Sequence, residues 1–122
     1  MNMDELFDMQ KELMDHVPHG HIIKPDHQGL VVAACGIIEE TMEFLNSIGF
    51  KSWRPNPLPR EEQLEEATDI LFFYLELLIL GGFSWEEIRR EYERKWQVNM
   101  DRYNKAKQNN YDWDLRGKKE GL

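Results

Sequence analysis

One cysteine, Cys35, stands in the whole chain of 122 residues, so no disulfide framework can staple the fold and the core must be hydrophobic. Basic residues are few beside acidic ones, 15 against 23, giving a net charge of −8. That balance disfavours nonspecific binding to duplex nucleic acid, whose phosphates dominate such affinity. It leaves room for a small anion, because a bound metal can invert the local field. The longest uncharged apolar run, Ile70 to Leu75, is far too short to span a bilayer. The opening MNMDELFDMQ lacks the basic-then-apolar pattern of a secretory leader, so we expect no membrane partner and a cytoplasmic location. There is no glycine-rich phosphate loop, CxxC pair, nucleophile elbow or internal repeat.

What is present is helical periodicity interrupted by proline and glycine. Leu6, Met9, Leu13 and Val17 mark a first helix over about 4–17, ended by Pro18 and Gly20. A loop follows from His19 to Gln28, with Asp26 or His27 as a cap. His16, His19, His21 and His27 cluster here, yet their spacing matches no structural zinc pattern and no second cysteine joins them. A second helix is expected over about 30–48, with Val31, Ala34, Ile38, Met42 and Leu45 on a broad apolar face. At ~100° per residue, Gly36, Glu40, Glu43 and Ser47 fall on the opposite stripe. That stripe is either the solvated side or a site, and Gly36 would let a neighbour approach closely. Gly49 and the run Pro55, Pro57 and Pro59 separate it from a third helix over about 60–80.

The third helix is apolar almost all round beyond Asp69, which calls for burial by its own fold or by a partner subunit. Glu62, Glu65, Glu66, Asp69 and Glu76 share an arc of ~100° beside that surface. Burying an unpaired carboxylate costs several kcal/mol in order of magnitude, so salt-bridge or cation partners are required. Gly81 and Gly82 close this helix, and Ser84 with Glu87 has the capping-box spacing that opens a fourth, through about Lys107. On it Lys95, Asn99 and Arg102 share one stripe, suited to phosphate oxygens or to a solvated face balancing Glu91 and Asp101. We expect residues 1–108 to form a single domain, a small all-α bundle of four to five helices, with 109–122 a polar tail carrying Tyr111 and Trp113.

Glu40-x-x-Glu43 followed after 22 residues by Glu66-x-x-Asp69 can aim four carboxylates at one point, a geometry that a hard divalent cation compensates. The two motifs resemble the metal-binding signature of the all-α nucleoside triphosphate pyrophosphatases, the superfamily of the MazG proteins and the dimeric dUTPases. Lys95, Asn99 and Arg102 are similar to that family's later K-x-x-x-N-x-x-R pattern. LFDMQKEL and Phe50-Lys51-x-Trp53 resemble the dimeric dUTPase branch in particular. The likeness covers roughly residues 4–103. It implies Mg2+ on Glu40, Glu43, Glu66 and Asp69; Glu39 or Glu65 could replace a neighbour after a one-residue change of register, and Glu39, Glu62, Glu65 and Glu76 are kept as second-rank candidates. It also implies Gln10 near the base, Trp53 in the same ligand site, and Lys51 near the phosphates beside Lys95, Asn99 and Arg102.

The expected activity is hydrolysis of a deoxynucleoside triphosphate, dUTP foremost, to the monophosphate and pyrophosphate, in a homodimer or homotetramer. Glu40, at the edge of the apolar face beside Phe44, is the expected proton acceptor, because burial there would raise its pKa. The alternatives are a broader or dCTP-selective pyrophosphatase, and a noncatalytic helical oligomer whose acidic stripes pair with basic residues between subunits.

Overall fold

A computed structural model describes residues 1–17 and 27–109, and all its regular secondary structure among them is helical. Four helices follow one another: α1 (Met3–His16), α2 (His27–Ser47), α3 (Arg60–Leu80) and α4 (Trp85–Gln108). Two compact units divide the chain, Met1–Trp85 and Glu86–Leu122. The histidine loop up to residue 26 and the polar tail beyond Asn109 lie outside the described residues.

In the first unit, α3 is the central element, packed against both α1 and α2. Asn2 opens α1 by accepting the Glu5 N–H on its side-chain oxygen at 2.9 Å, a cap worth ~1 kcal/mol. Leu75, Leu78 and Leu80 bury the end of α3, and Met14 and Ala33 join Leu80 in one cluster. Each fully buried leucine contributes about 1.5–3 kcal/mol relative to exposure. No single described helix is long and apolar enough to cross a membrane.

The start of α2 needs correction. The helix begins at His27, so Gly29, expected to lie in the loop, sits inside the helix and is buried. The acidic stripe, left open between a solvated side and a site, is the one that faces α3. Val31, Ile38 and Met42 are exposed, whereas Gly29, Ala33, Gly36 and Ser47 are buried. Small residues bring the α2 backbone close to its neighbours, and at Gly36 the space a Cβ would need is filled by the Phe73 ring. The acidic stripe of α2, which includes Gly36, is thereby turned toward α3.

Beyond α2 the chain doubles back. Gly49 takes φ 75°, where a side chain would be strained and would collide with the Pro55 carbonyl. A bridge between Lys51 and Arg54 tightens the turn, and the Leu58 N–H donates to the Ser47 carbonyl at 2.8 Å. These contacts hold residues 48–58 against the C-terminal end of α2.

Candidate active site

Gly36 meeting Phe73, and Glu40 meeting both Glu66 and Asp69, fix an antiparallel register between α2 and α3. One stripe of α3 therefore carries Glu66, Asp69, Phe73 and Glu76 in order, at the i, i+3, i+7 and i+10 positions that share a helix face. Carboxylate oxygens of Glu40, Glu66 and Asp69 all lie within 4.8 Å of one another. Glu43 stands outside this tight trio but acts electrostatically on both Glu40 and Glu66.

The electrostatics follow from that crowding. Burial first, then the charges of Asp69, Glu66, Glu39 and Glu43, push the Glu40 carboxyl above its ordinary pKa. Glu66 is raised in the same way, by burial and then by Asp69, Glu43, Glu65 and Glu62. No ion pair to any of the three converging residues forms among the described residues. The donor set fits a hard cation: at the ~2.1 Å oxygen distance of Mg2+, two oxygens on opposite sides of one ion lie about 4.2 Å apart. A slight closing of the trio would bring it to that span. The larger Ca2+, at about 2.3–2.6 Å, would fit a spread reaching about 5 Å.

Beside the trio opens a cavity of about 290 Å³ lined by acids and cations together, Glu43 and Glu66 with Lys51 and Arg54. Asn46 and Asn56 add amides to its wall. Lys51 was read from the sequence; Arg54, Asn46 and Asn56 were not. The signal for Arg54 was its place three residues after Lys51 in a proline-bounded turn, which the observed bridge makes a hairpin. The Lys51 ammonium lies 5.7 Å from the Trp53 ring and 5.9 Å from the Phe50 ring, within cation–π range. Trp53 itself is 74% exposed.

Gln10 sits elsewhere in the same unit, buried on α1, and lines two adjoining cavities against α3. Lys95, Asn99 and Arg102 belong to α4 in the second unit. Of the substitute acids, Glu39, Glu62 and Glu65 are exposed, and Glu76 is buried.

The helical unit thus brings carboxylates together from two helices beside a cavity whose lining includes two cations. The sequence model of the dUTPase family matches residues 2–81, about two thirds of the chain, and the chain belongs to that family. The matched span contains α1 to α3, the trio, Glu43 and Lys51, and stops before Lys95. No curated protein and no solved structure matches the chain significantly. Membership points to nucleotide pyrophosphatase activity, with a nucleotide as substrate and a divalent metal as cofactor.

Proposed function

We propose that this protein is a Mg2+-dependent pyrophosphatase of deoxynucleoside triphosphates, dUTP foremost, releasing the monophosphate and pyrophosphate in the cytoplasm. The observation that carries the reading is the meeting of Glu40, Glu66 and Asp69 without a cation of their own, next to a cavity that presents Lys51 and Arg54. Glu40, Glu66 and Asp69, with Glu43 completing the set, are the residues to hold the metal. Bound Mg2+ would neutralise phosphate charge and polarise water.

The residues of the chain supply the remaining chemistry. Lys51 and Arg54 attract the triphosphate and fix its oxygens by charge-assisted hydrogen bonds. Lys95, Asn99 and Arg102 share one stripe of α4, a spacing that suits phosphate oxygens. In the reaction, one P–O bond of the bridge between the α- and β-phosphorus breaks as the oxygen of water takes its place. The proton released by water passes to a carboxylate oxygen that the metal leaves free, and Glu40 is the residue assigned to accept it. Gln10 and Trp53 are assigned to the nucleoside end.

The decisive experiment is a nucleotide panel with and without Mg2+, with products identified. Pyrophosphate release from at least one deoxynucleotide is expected, with dUTP the best substrate and dCTP the chief competitor. Glu66→Gln combined with Asp69→Asn should lower the rate by at least about 10³-fold while the circular dichroism of the helices is kept. Full activity in the double variant would remove the site assignment. The exposure of Val31, Ile38 and Met42 on α2, and of Leu71, Phe72 and Tyr74 on α3, supports assembly as a homodimer or homotetramer. Light scattering at micromolar concentration should give a mass above the monomer; a monomer would count against it.

A further inference from the structure

Glu43, Glu66, Lys51 and Arg54 line one cavity beside the trio, yet none of them forms an ion pair with another among the described residues. A lysine ammonium on a flexible four-carbon stem is ordinarily drawn onto nearby acids. There it would occupy the oxygens that a metal needs and cancel the charge that a phosphate needs. The turn that carries Lys51 provides another hold. The Arg54 N–H donates to the Lys51 carbonyl at 3.0 Å, and the Phe50 N–H donates to the Leu45 carbonyl at 3.4 Å, tying the start of the turn to the end of α2. With the turn closed in this way, the Lys51 ammonium lies 5.9 Å from the Phe50 ring and 5.7 Å from the Trp53 ring. Both are within the ~6 Å over which a ring face attracts a cation. Neither ring is spent on the core, since Phe50 is 48% exposed and Trp53 more so. A ring has no net charge, so it holds the ammonium without neutralising it.

We propose that Phe50, together with Trp53, is a positioning residue: the two rings hold the Lys51 ammonium off Glu43 and Glu66, so that the carboxylates stay open to a divalent cation and the ammonium to a phosphate anion. The identity of those two ligands rests on the nucleotide reading above, whereas the aromatic hold rests on the turn itself. Phe50 has no other task in the site, which makes it the residue to change.

The test uses the full chain without nucleotide and follows the ε-methylene protons of Lys51 by NMR. Ring currents should place them upfield of those of free lysine. Phe50→Leu should return them part of the way, and Phe50→Tyr, which keeps a ring, should not. Calorimetry with Mg2+ alone gives the second readout. Phe50→Leu should weaken Mg2+ binding about two- to fivefold, as the released ammonium settles on the acids, and Phe50→Tyr should restore it. In a Lys51→Gln background the same Phe50→Leu change should leave Mg2+ affinity unaltered, which a merely structural role of the ring would not give. Unshifted Lys51 protons in the wild type, unchanged Mg2+ affinity in Phe50→Leu, or an equal loss in the Lys51→Gln background would each overturn the assignment. A wild type that binds no Mg2+ would overturn it together with the metal reading. A chain that gives every expected shift and affinity but releases no pyrophosphate from any nucleotide defeats the hydrolase reading alone. One that releases pyrophosphate with unshifted Lys51 protons defeats the aromatic hold alone.

Discussion

Acidic residues have charged neighbours three or four positions away on α4 as well as on α2 and α3, but those neighbours are arginines in the first region and further acids in the second. On α4, Glu86 accepts from Arg89 at 2.7 Å and from Arg90 at 3.0 Å, Arg89 also reaches Glu93 at 2.7 Å, and Arg94 pairs with Glu91. These guanidinium partners hold Glu86 and Glu91 below the usual carboxylate range. On α2 and α3 the trio has no such partner, and Glu40 and Glu66 are pushed up. Local sequence explains the contrast. The neighbours of Glu40, Glu66 and Asp69 at three and four residues are acids, apolar residues, a glycine and Gln63, and α2 and α3 together contain no lysine and one arginine, Arg60. Spacing places a carboxylate on a face; the supply of cations at the next turn decides whether it is a surface ion pair or a site awaiting one.

The comparison breaks most sharply if metal is the missing partner. Adding Mg2+ should raise the melting temperature of the wild type, by about 2.7 kcal/mol of stabilisation when its concentration reaches about 100 times Kd. The Glu66→Gln, Asp69→Asn variant should show no such rise, and in chelator it should melt no lower than the wild type, because it relieves repulsion. A double variant that still responds to Mg2+ would mean that the metal binds elsewhere.

A smaller effect is expected where α2 approaches α3. In Gly36→Ala the new Cβ would overlap the Phe73 ring, so the ring or the helix must move. Overpacking of this kind costs about 1–3 kcal/mol, against ~1 kcal/mol regained from helix propensity. Thermal denaturation should show a net loss, and Mg2+ affinity should fall with it as Glu40 is carried away from Asp69. Unchanged stability with unchanged metal affinity would show that the register tolerates the extra carbon.

Gly36 also marks how far the sequence could be read. The limits of α3 were legible because Pro59 and the Gly81-Gly82 pair punctuate them, and the order of the acidic motifs was legible because helical periodicity is strict. The facing of α2 was not. An apolar stripe of Val31, Ile38 and Met42 ordinarily turns inward, but here the glycine and alanine stripe permits the closer approach, and hydrophobicity alone does not register that advantage. Lys51 was legible through family likeness; Arg54 and the two asparagines needed the folded turn to bring them to the same cavity. The isolation of the Gln10 side-chain oxygen was likewise invisible, since an unpaired buried group is defined by what does not surround it.

The smallest effect belongs to α4, and its sign is opposite. Arg89→Ala removes the two-pronged donor to Glu86 and leaves Arg90 in contact with the same carboxylate. Glu86 has a lowered pKa in the folded chain, so its contribution to stability is present above the unfolded value, about 4.3, and is lost as pH falls through the folded one. The variant should shift the Glu86 titration upward, read by NMR at its side-chain carboxyl carbon, but not fully to the ordinary value, because Arg90 remains. Both partners are exposed, so the change in melting temperature at neutral pH should be slight, and pyrophosphate release should not change. If losing this surface pair reduced activity as much as losing Asp69, the division between paired and unpaired acids would no longer separate scaffold from chemistry.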